Sequence, residues 1–134
     1  MAASTAFKNN LLDCIGTAST TITQSTYVAL HTADPTGTGT GEVTTGSAAR
    51  VLVENDGATS PYWNAAVGNV LDNNGVITFP QGGGDAVCTH WGVWDASAVS
   101  TGNFLFGGSL GSQFTWDAST IPEFASGALD VSIG

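Results

Sequence analysis

Short apolar runs with a two-residue period, each closed off by glycine, proline or Asn-Gly, constrain this chain more than any other feature. Residues two apart share one face of a strand, and Gly, Pro and Asn break strands into turns and loops. Residues 27–31 read as a strand, with Val28 and Leu30 on one side and Tyr27 and His31 on the other. Residues 49–54 read as the next, with Val51 and Val53 opposite Arg50, Leu52 and Glu54. Residues 67–71 and 76–79, joined through Asn73-Asn74-Gly75, carry the clearest hairpin signal, because Asn-Gly supplies the positive φ angles of a tight turn. Residues 86–95 form the longest run, followed by 104–106 and 128–133. The expectation is a mainly β, antiparallel β-sandwich or jelly-roll-like fold in a single domain over residues 1–134.

One segment departs from this period. Between Ser4 and Gly16, the residues Phe7, Leu11, Cys14 and Ile15 recur at helical spacing, which predicts a short N-terminal helix over residues 4–16. Ser4 or Thr5 is placed to cap it and Gly16 to end it. So short a helix draws its stability from docking, and Phe7, Leu11 and Ile15 are the expected docking residues. Residues 17–25 read as a polar connector. Residues 34–47, with the run Thr36-Gly37-Thr38-Gly39-Thr40-Gly41, read as a mobile loop without periodicity. On the long strand, Thr89, Trp91 and Val93 alternate with Cys88, His90, Gly92 and Trp94. A large aromatic on each face implies that both faces are covered, the second by the helix or by a neighbouring subunit. Trp91, Trp94 and His90 are therefore the candidate subunit-interface residues.

Charge excludes several functions. Two cations, Lys8 and Arg50, stand against eleven carboxylates, for a net charge of −9. Phosphate recognition needs a cluster of cations, so nucleic acid is excluded as a partner, and an anionic membrane surface with it. No apolar run reaches the length of a membrane span, and no basic-then-apolar leader opens the chain. Cys14 and Cys88 lie far apart and form no CxxC pair; they are either buried free thiols or a disulfide, within or between chains.

Candidate chemistry is thin. Gly107-Gly108-Ser109-Leu110-Gly111 matches the GxSxG pattern of hydrolases, but that motif needs a strand-to-helix turn and a later histidine. Both histidines, His31 and His90, precede Ser109, so a glycine-rich turn is the reading and no catalytic residue is assigned. Gly37-Thr38-Gly39-Thr40-Gly41 lacks the Lys-Ser/Thr of a phosphate loop. Neither His31, His90, Cys14 and Cys88 nor the acids Asp34, Glu42 and Asp56 show a metal-ligand spacing, and no metal or other cofactor is expected. Trp63, Trp91, Trp94 and Trp116 offer a sugar-stacking platform only if exposed.

The order of motifs also resembles a known family. It comprises the Phe7-Lys8-Asn9-Asn10-Leu11-Leu12-Asp13 helix, then residues 26–35 (Thr-Tyr-Val-Ala-Leu-His-Thr-Ala-Asp-Pro) and Gly46-Ser47-Ala48-Ala49-Arg50-Val51. Val76-Ile77-Thr78-Phe79-Pro80, residues 88–95 (Cys-Thr-His-Trp-Gly-Val-Trp-Asp), Asn103-Phe104-Leu105-Phe106-Gly107 and Phe124-Ala125-Ser126-Gly127-Ala128-Leu129 follow. This resembles a family of small tailed-phage virion proteins, often labelled tail fibre proteins, in which members of similar architecture serve as capsid decoration (cement) proteins. Trp91 stands where that family commonly has phenylalanine. The resemblance implies a non-enzymatic bacteriophage structural protein without cofactors. It implies a decoration protein on the outer capsid surface with the major capsid protein as partner, and the symmetry of a virion makes a closed homotrimer the expected working unit. The alternative it implies is a tail or neck fibre module that recognises host carbohydrate.

Overall fold

The computed structural model describes residues 2–16 and 25–132; the side chains of Ala2, Asn10 and Cys14 lie outside the described set. In chain order the elements are β1 (Ala2–Ala3), α1 (Thr5–Gly16), β2 (Thr26–His31), β3 (Val51–Val53), β4 (Tyr62–Trp63) and β5 (Val70–Leu71). They continue with β6 (Asn73–Asn74), β7 (Ile77–Thr78), β8 (Ala86–Trp94), β9 (Phe104–Trp116), β10 (Glu123–Phe124) and β11 (Val131–Ser132). Five strands form one sheet in the order β1-β9-β8-β2-β3, and its ladders are antiparallel. Three two-stranded ribbons, β4-β6, β5-β11 and β7-β10, lie over one face. The core sits between these layers: Val28, Leu30, Trp91, Val93 and Phe106 from the sheet meet Trp63, Ile77, Phe79, Leu129 and Val131 from the ribbon side. The chain is thus mainly β, antiparallel and single-domain, with one short N-terminal helix, as its punctuation predicts. The second layer is a set of ribbons where a sandwich has a full sheet.

The expected hairpin across Asn74-Gly75 does not form. β5 pairs with β11 and β7 with β10, so both arms bury their apolar residues against the C-terminal part of the chain. Asn73, fully buried, organises this exchange. Its Nδ2 donates to the carbonyls of Gly75 (2.8 Å) and Ala125 (3.0 Å), and its Oδ1 accepts the Leu129 N–H (2.9 Å). The tight turn lies instead at Gly68-Asn69, both at positive φ, where Val67 and Val70 exchange both backbone hydrogen bonds.

β8 holds a second departure. Its register against β9 shifts between Cys88 and His90, so Cys88 turns to the core beside Trp91 instead of sharing a face with Trp94. The glycine-rich stretch around Ser109 is continuous strand within β9, not a turn. The final strand is shorter than the periodicity suggests, and Ile133 and the connector residues 17–24 lie outside the described residues.

Trp94, Phe104 and Ala29 form a smaller cluster on the opposite face of the sheet. Its cover is the chain's own 35–41 segment. The Thr38, Gly39 and Thr40 amides gather on the Pro35 carbonyl, and Gly39 approaches the Trp94 indole so closely that any Cβ would collide with the ring. Residues 35–41 thus carry defined turns, and Gly39 and Arg50 of the same chain lie against Trp94.

Candidate interaction surface

Helix α1 begins as its sequence dictates. Ser4 Oγ accepts the Phe7 N–H (3.1 Å), and the Ser4 carbonyl accepts the Lys8 N–H (3.0 Å), which makes Ser4 the cap. The Ser4 amide in turn donates to Leu105 O (2.9 Å), tying the helix start to β9. Phe7 packs against Phe106 with ring centroids 5.1 Å apart. Leu11 is half-buried one turn later, but Ile15 is 84% exposed and Leu12 65%. The expectation that Ile15 docks on the body is corrected. The ridge climbs ~12 Å from Phe7 to Ile15, which carries it beyond the sheet residues Leu105 and Phe106 that receive the first turn.

Between this helix and the body lies a cleft of about 770 Å³. Phe7 and Leu11 form one wall, Leu105, Phe106 and Trp63 its floor, and the 55–57 and 64–66 segments its rim. Most of the lining is apolar, and a carboxylate stands in the rim. Asp56 Oδ1 accepts the backbone N–H groups of Ala58 and Thr59, and its Oδ2 the Thr59 hydroxyl. These bonds, led by the Thr59 N–H, hold its pKa below the ordinary carboxylate value. Asp72 stands behind the wall, accepting from the Asn64 amide at 2.8 Å.

The other expected interface residues are placed differently. Trp91 is 5% exposed and Trp94 7%, so neither offers a surface to a neighbour, and that expectation is corrected. Each indole is spent on packing within the chain, against Phe106 and Phe104 respectively. His90 is half-buried, with Nδ1 2.8 Å from Thr89 Oγ1. Trp63 and Trp116 are buried as well, which leaves no tryptophan as a sugar-stacking platform.

Arg50 is a structural centre that the sequence did not announce. Its side chain is fully buried, Nε and Nη2 grip both oxygens of Glu42 (2.6 and 3.0 Å), and Nη1 donates to the carbonyls of Ala96 and Thr101 (2.6 and 2.9 Å). Its guanidinium lies 4.1 Å from the Trp94 ring centroid. Beside it, His31 is fully buried: Nδ1 donates to the Thr40 carbonyl (2.9 Å), and Nε2 receives the Trp94 indole N–H (3.4 Å). Burial, the largest influence, lowers the His31 pKa.

Among the described residues no His, Cys, Asp or Glu group converges as a metal site. Asp34 caps Thr36, Glu42 holds Arg50 and Asp56 caps its own loop, so the three acids do not meet. Ser109 sits in mid-strand with its hydroxyl on Leu110 O. Cys88 is a free, buried thiol whose pKa burial raises to about 11, while the Cys14 side chain lies outside the described residues.

The chain combines a small β body whose tryptophans are turned inward with a half-docked helix and an apolar cleft. The chain belongs to the family described as Podophage GP4 fiber I protein gp80, which it matches over residues 2–132. It is therefore a member of a phage fibre and virion protein family. No curated protein matches the chain closely enough to add to that assignment.

Proposed function

We propose that the chain is a non-enzymatic structural subunit of a virion fibre, fixed to neighbouring virion protein through the face that carries α1. The observation that carries this reading is the half-docked helix, with Leu12 and Ile15 exposed beside an open apolar cleft. Stable attachment needs roughly 1,000 Å² or more of buried surface, and this face joins the exposed Leu12 and Ile15 side chains to an apolar cleft. A closed homotrimer suits the symmetry of such an appendage. Gold-labelled antibody on intact virions tests the reading: label at the tail or neck supports it, and virions without label sink it.

A second reading is a capsid decoration protein bound to the major capsid protein on the outside of the shell. A compact body, with no fibrous repeat among the described residues, favours it, because a bead-like subunit suits a lattice of equivalent sites. Label spread over the capsid, with binding of purified protein to undecorated shells, selects this reading.

A further inference from the structure

We infer that the cleft beneath α1 receives an apolar segment flanked by lysine or arginine from a different virion protein. This deepens the proposed function and rests on it for the setting in which the partner is met.

Three observations converge on that occupant. The first is shape and chemistry: a cleft of about 770 Å³, walled by Phe7, Leu11, Leu105 and Phe106, takes several apolar side chains at once. The second is the helix, which continues the apolar ridge outward through Leu12 and Ile15, so an entering segment stays in contact after leaving the cleft. The third is charge. Asp56 lies in the rim and accepts three hydrogen bonds that favour its ionised form. Asp72 stands behind Asn64.

This chain offers one remaining cation as a complement to that charge. Of its two cations, Arg50 is consumed inside the fold by Glu42, which leaves Lys8 on α1. A second copy would bring a net charge of −9 against the same sign. A basic-flanked segment gains both apolar burial and attraction to Asp56, and a like-charged copy is disfavoured in the cleft.

The experiment is a calorimetric titration of the full-length protein with two synthetic amphipathic peptides, one of leucine and lysine, the other of leucine and glutamate. Two variants accompany it. Ala66→Trp fills the cleft from its exposed rim, and Leu11→Ala removes a wall residue, with near-ultraviolet circular dichroism checking that each is folded. The leucine–lysine peptide is expected to bind, more weakly as salt rises, and each variant to weaken it by about tenfold or more. Binding that both folded variants leave unchanged overturns the inference. So does equal or tighter binding of the leucine–glutamate peptide. Self-association of the free protein that Ala66→Trp abolishes overturns it too, because the occupant is then a second copy. Virion labelling separates this from the fibre reading: labelled virions with a failed titration refute the cleft alone, and a successful titration with unlabelled virions refutes the fibre alone.

Discussion

Replacing Arg50 by methionine removes the centre of the loop-bearing face while keeping an apolar stem against Trp94. The Glu42 carboxylate, its side chain 6% exposed, then keeps only the Ser100 N–H, and two carbonyls lose their donor. Stripping one partner from a buried pair costs about 3–5 kcal/mol. A chain of this length holds roughly 7–20 kcal/mol in total, so the variant should fold yet melt about 10–20 °C lower. Glu42→Gln in the same background relieves the stranded charge, so the double variant should be less damaged than the two single losses summed. Urea denaturation of all four proteins gives the coupling energy, and near-ultraviolet dichroism reports the Trp94 environment. A loss below ~1 kcal/mol for Arg50→Met, or strict additivity with Glu42→Gln, would refute the reasoning.

Asn73→Leu removes three hydrogen bonds, two of which tie β6 to the C-terminal segment, and should cost about 2–4 kcal/mol in urea denaturation. Ile15→Ser should change thermal stability by less than ~0.5 kcal/mol, since the side chain is already in solvent, yet weaken attachment to virions measured by co-sedimentation. His31 has a folded pKa below its ordinary 6.5, so the unfolded chain takes up the proton first. Stability should therefore fall as pH drops from 6.5 toward the folded value, and the slope of melting temperature against pH in that window should flatten in His31→Gln. Cys88 should resist thiol reagents in the native protein and react on unfolding, as its burial and raised pKa require.

Local signals predicted the elements whose pattern depends on their own residues. The alternation in β2, with Val28 and Leu30 turned to the core, and the Ser4 cap of α1 are of this kind. Errors arose where partners distant in sequence decide. Asn74-Gly75 carries turn chemistry, but whether two flanking strands pair depends on competitors, and the C-terminal segment won both arms. A period-two reading cannot foresee the register shift that turns Cys88 inward. The Gly-Thr run has no periodicity, so nothing local announces that Gly39 lets backbone lie against an indole more than fifty residues later in the chain. The Arg50 centre left a faint trace, since a chain with two cations has reason to bury one only against a carboxylate. The cleft left none, because its lining comes from segments scattered between Phe7 and Val131.

Burial of Arg50 also decides how the protein meets a protease. Trypsin cuts after lysine and arginine, and the only such bonds follow Lys8 in the helix and Arg50 in the core. Native protein should survive trypsin with at most its first eight residues clipped. Even after full denaturation, residues 51–134 remain one fragment, too large for routine tryptic peptide sequencing. A virion inventory made with trypsin will undercount this subunit. Chymotrypsin, or a protease that cuts at acidic residues, will recover its true copy number.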